Sequence, residues 1–129
     1  MHPPTTSDFL LLSRGQWDPA SDKADIESAI DQFYQWYEAN LETGIFKRGS
    51  RLTTAAALVS REGMRTDGPF AEGKEVIGGY WFIVAESLAA AAAIAAQSPV
   101  LLHGIRYEIR PLESERGSAY RITNETPGP

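Results

Sequence analysis

Two histidines, His2 and His103, are the only side chains in this 129-residue sequence that ordinarily change charge near neutral pH. His2 stands ahead of the first apolar run, which leaves His103 as the one candidate proton carrier inside the patterned part of the chain. It directly precedes a predicted strand, where an imidazole serves either as an acid or base or simply as the cap of a turn. The catalytic reading needs a carboxylate within hydrogen-bond reach, and Asp67 is the candidate. Asp67 begins the run Asp67-Gly68-Pro69-Phe70, whose residue types also suit a turn. In that reading Asp accepts from nearby amides, Gly takes an unusual dihedral, Pro stiffens the backbone and Phe70 plugs a core. In the functional reading the run borders a cleft, with Asp67 as base or acceptor and Phe70 against a ligand.

Glu72 and Lys74 continue the same segment. They are either solvated charges or, facing a cleft, an acceptor and a cation for an anionic group. Arg14 and Arg110 lie at the ends of the first and last predicted strands. A guanidinium facing a cleft binds a carboxylate through two parallel hydrogen bonds, whereas a row of charges on a strand otherwise forms a solvated or salt-bridged face. The helix aromatics Phe33, Tyr34, Trp36 and Tyr37 span more than one stripe, which suits core and interface packing or a wall for stacking a ligand.

Composition excludes several classes. With no cysteine there is no disulfide, thiol nucleophile, thiolate zinc site or iron–sulfur cluster. Two histidines so far apart argue against a histidine metal site, and no cofactor is expected. Neither a phosphate-binding glycine loop nor a Gly-x-Ser-x-Gly elbow occurs. The net charge of −5 gives no electrostatic reason for nucleic acid or an anionic membrane as partner. The longest apolar stretches are too short for a signal or a membrane span, so a cytoplasmic protein is expected.

The elements that must position these groups follow from hydrophobic spacing. Residues 9–13 form a short run suited to a strand covered on both faces. A helix begins at Ser21 or Asp22, carries the stripe Ile26, Ile30, Phe33, Tyr37 and Leu41, and stops at Gly44. Residues 51–60 read as a strand, Arg61-Glu62-Gly63 as a turn, and residues 64–66 as a short return strand. Residues 79–84 are a strand of aromatic and β-branched types, and 88–97 a second helix. Residues 105–112 alternate strictly, placing Ile105, Tyr107 and Ile109 opposite Arg106, Glu108 and Arg110. This order predicts an α+β, ferredoxin-like βαββαβ domain with a four-stranded antiparallel sheet over residues 8–112. A flexible N-terminus (1–7) and a polar tail (113–129) flank it. Two helices cover one sheet face only, yet residues 79–84 are apolar on both. A two-fold homodimer that buries the second face is therefore expected.

The segment Thr66-Asp67-Gly68-Pro69-Phe70-Ala71-Glu72-Gly73-Lys74-Glu75, followed by Gly78-Gly79-Tyr80, resembles the signature of the YCII-related DGPF family. Ser98-Pro99, His103-Gly104 and Tyr107-Glu108-Ile109-Arg110-Pro111 are similar to that family's C-terminal strand. The resemblance implies a dimeric α-β barrel and, in some bacteria, an association with sigma-factor systems. It also implies acid–base chemistry through a His–Asp pair with the histidine on the first helix, but residues 22–44 contain no histidine. The sequence leads to a homodimeric small-molecule-binding module with an intersubunit pocket. A cofactor-independent isomerase, lyase or hydrolase using Asp67 or His103, and a protein-interaction module tied to transcription, are the competing readings.

Overall fold

The computed structural model describes residues 5–66 and 75–128. Asp67, Phe70, Glu72 and Lys74, and with them the expected turn, lie outside the described residues. The main sheet holds β1 (Ser7–Arg14), β2 (Phe46–Arg51), β5 (Ile77–Ala85) and β6 (Arg106–Pro111), and β3 (Leu58–Ser60) pairs with β4 (Gly63–Arg65) in a separate hairpin. Among the described residues, two helices, α1 (Lys23–Glu42) and α2 (Leu88–Ala95), and a 3-10 turn at Pro99–His103 accompany the strands. Strand order is β2-β5-β1-β6 with every neighbouring pair antiparallel. β1 and β2 thus run parallel with β5 between them, joined by α1, which is the ferredoxin-like arrangement expected.

Residues directly opposite in a ladder share a face. Leu11 faces both Trp81 and Ile109, and Phe9 faces Ile83. These side chains form the helix-covered core with Phe46, Ala29, Phe33 and Tyr37, and Ile83 is fully buried. The aromatic stripe of α1 locks onto the sheet through edge-to-face ring contacts: the ring centres of Phe33 and Trp81 lie 5.4 Å apart, and those of Trp36 and Phe46 4.9 Å apart. Ala29, outside the predicted stripe, is buried, whereas Ile26, Ile30 and Leu41 are only half-buried. Gly44, at φ +79°, ends α1 where the spacing places its stop.

The second strand is a correction. It is Phe46–Arg51, not residues 51–60, of which only Arg51 belongs to the sheet and 58–60 to the hairpin. Its one buried side chain is Phe46, and its other residues are polar or glycine, so composition does not announce it. A neighbour's ladder and Phe46 hold this edge strand, and its lysine and arginines suit an edge open to water. Gly49 is obligatory there, because an added Cβ would overlap the backbone of Tyr80. The second helix ends at Ala95 rather than 97, since Ser98 and Pro99 start the 3-10 turn. Its N-terminus is capped by the Ser87 hydroxyl, which accepts from the Ala90 amide at 3.1 Å. No helix among the described residues is long and apolar enough to cross a membrane.

Candidate functional site

β1 ends in an irregularity between Ser13 and Arg14, followed by Gly15 at φ +88°. The Gly15 amide donates to the Val76 carbonyl at 2.9 Å, tying the end of β1 to the entry of β5. The chain then turns through Gln16–Asp18 and is pinned from the far side, because the Asp18 amide donates to the His103 carbonyl at 2.7 Å. Gly104, at φ +101°, lets the two loops meet: a Cβ there would stand 2.8 Å from the Asp18 nitrogen. This clasp holds Trp17 beside the N-terminal half of α1.

Under the clasp lies a cavity of about 660 Å³ between α1 and the sheet. Its walls are aromatic and aliphatic: Trp17 from the loop, Ile30, Phe33 and Tyr34 from α1, Trp81 from β5, and Val100 and Ile105 near the 3-10 turn. Polar groups are few. Ser13, Gln16 and Thr54 supply neutral donors and acceptors, Tyr107 supplies a phenol, and Arg51 supplies the one charge among the described lining residues. The volume and the mostly apolar wall with sparse polar groups match what a small-molecule site requires. The cavity lies on the helix side of the sheet and is partly open to solvent.

Tyr107 is largely desolvated, and burial pushes its hydroxyl up to about 12 while the hydrogen bond with Ser98 pulls the other way. The Ser98 and Tyr107 oxygens are 2.8 Å apart, and Ser98 is itself buried. Tyr107 is thus a neutral, positioned hydrogen-bonding group at neutral pH.

The sequence-predicted groups sit elsewhere. His103 Nδ1 is 2.9 Å from the Ser21 hydroxyl, so the half-buried imidazole joins the 3-10 turn to the entry of α1. Arg14 and Arg110 converge on one carboxylate on the opposite sheet face. Arg14 Nη1 donates to Glu108 Oε1 at 3.1 Å, and Arg110 Nη1 donates to Glu108 Oε2 at 3.3 Å. None of these three lines the cavity. Among the described residues no group of three histidines or carboxylates is placed to hold a metal ion.

Sequence reasoning missed Trp17, Arg51, Thr54 and the cavity role of Ile30. The available signals were a large aromatic inside a Gly/Pro break, and an apolar position on α1 that the core does not fully bury. Of the helix aromatics weighed from the sequence, Phe33 packs in the core, and Phe33 and Tyr34 line the cavity.

An antiparallel sheet in the order β2-β5-β1-β6, crossed by two helices on one side, defines an α+β domain with a cavity beneath its first helix. The model of the YCII-related domain matches residues 24–113, and the chain belongs to that family. The matched span opens inside α1 and runs through β6, leaving β1 before it. No curated protein matches the chain.

Proposed function

We propose that this protein is a small-molecule-binding module that works as a homodimer. The observation that carries the binding role is the aromatic cavity of about 660 Å³ between α1 and the sheet. Small-molecule sites are concave, mostly apolar clefts of a few hundred Å³ with a few polar groups, and this one has that size and character. Binding is favoured over acid–base chemistry because the described lining contains neither a carboxylate nor a histidine. His103 is engaged with Ser21.

Support for the dimer comes from the sheet's other face. Leu10 pairs with Phe82 and Leu12 with Tyr80 there, next to Val84, and all five are half-buried with no helix over them. A contiguous apolar strip of this kind is what soluble chains cover with a partner. Its charged flank, Arg14–Glu108–Arg110, is partly neutralised within the chain, because the two guanidinium groups share one carboxylate and keep one net positive charge.

The test of the binding role is a screen of small apolar fragments by saturation-transfer NMR on the intact protein and on Ile30→Trp, which fills the cavity. Fragments that bind the parent and lose contact with Ile30→Trp support the reading. Fragments that bind both equally, or no binder at all, sink it.

A second reading draws on the β3–β4 hairpin, whose Leu58, Val59 and Met64 are 47%, 72% and 80% exposed. A lone two-stranded ribbon is marginal by itself, and these side chains suit docking onto another protein. Fast amide exchange throughout the hairpin in the homodimer would favour that role. Protection there would mean the arm is already used between the two copies.

A further inference from the structure

We infer that the ligand of this cavity is an organic anion with a flat apolar body, its anionic group held by Arg51. The inference rests on the binding role proposed above and specifies its chemistry. Trp17, Phe33, Tyr34 and Trp81 line the same space, and aromatic walls pair well with flat apolar matter. Charge selects the other end of the ligand. Arg51 is the one charged side chain in the described lining, and its guanidinium has no ion-pair partner among the described residues. Arg14 and Arg110, by contrast, share Glu108 and are spoken for.

Arg51 ends β2 at the cavity rim, where a ligand's polar end meets water while its body lies beneath the clasp. A guanidinium there offers a planar fork to a carboxylate, and Gln16 and Thr54 add neutral donors. With no carboxylate in the described lining, a cationic ligand finds no counter-charge. The net charge of −5 repels anions at long range, so this one local cation sets the preference.

The probes are 2-naphthoate and its neutral analogue 2-naphthamide, which share a ring body and differ in charge. Each is titrated by calorimetry into the full chain and into Arg51→Gln and Arg51→Lys. The expected result is roughly tenfold tighter binding of the naphthoate, a preference erased in Arg51→Gln and partly kept in Arg51→Lys. Equal binding of both probes by the parent chain overturns the anion assignment and leaves the cavity role standing. A naphthoate preference that survives Arg51→Gln overturns the role of Arg51. No binding of either probe removes the ligand class and the cavity role together.

Discussion

Tyr107 shows how one buried hydroxyl ties the site to stability. The folded chain keeps a proton to about pH 12 that an ordinary tyrosine releases near 10. Below that window the two states hold the same proton and nothing changes. Between the two values the unfolded chain ionises first, so stability falls as pH rises, by about 2–3 kcal/mol in all. Urea unfolding at pH 9 and pH 11.5 is expected to show most of that loss in the parent and a smaller one in Tyr107→Phe; identical losses would contradict it. His103 belongs to the same scale. Its bond to Ser21 predicts that His103→Ala costs about 1 kcal/mol of stability and leaves ligand affinity unchanged. A large loss of affinity at unchanged stability would return His103 to the site. Neither role was legible in the sequence, because a histidine before a strand and a tyrosine on an inward face look alike whether they react or merely pack.

Elements were legible in proportion to their periodicity. The helical stripe from Ile26 to Leu41 and the alternation of residues 105–112 each repeat one period often enough to stand out, and both are found where the spacing puts them. β2 offers a single buried residue, Phe46, and is a strand because β5 supplies its ladder. The threonine- and alanine-rich stretch after it carries β-compatible side chains with nothing to pair against. Gly49→Ala tests this dependence on β5: its methyl would collide with the Tyr80 backbone, so the midpoint of urea unfolding should drop by an amount equivalent to at least about 2 kcal/mol. An unchanged midpoint would mean that β2 does not approach β5 so closely. The cavity escaped the sequence for a different reason. Its walls come from a loop, a helix, the end of an edge strand and two inner strands, and no local spacing connects Trp17, Ile30, Arg51 and Trp81.

At the scale of the whole molecule, the sheet has two faces of different character. The helix face holds the core and the cavity, and the open face carries Leu10, Leu12, Tyr80, Phe82 and Val84. The proposed dimer predicts the mass of two chains by light scattering, and of one chain for a Leu12→Glu, Phe82→Glu double variant that keeps its helical circular dichroism. A monomeric parent would leave that apolar strip without a partner. The proposed dimer contact and the cavity lie on opposite sides of the sheet, so the double variant should still bind cavity ligands. The most direct measurement is a crystal structure of the protein with its tightest-binding fragment. Density among Trp17, Phe33 and Trp81, with any anionic group toward Arg51, is the predicted result. A fragment seated instead on Leu12, Tyr80 and Phe82, with the space beneath α1 closed by protein side chains, would contradict the account.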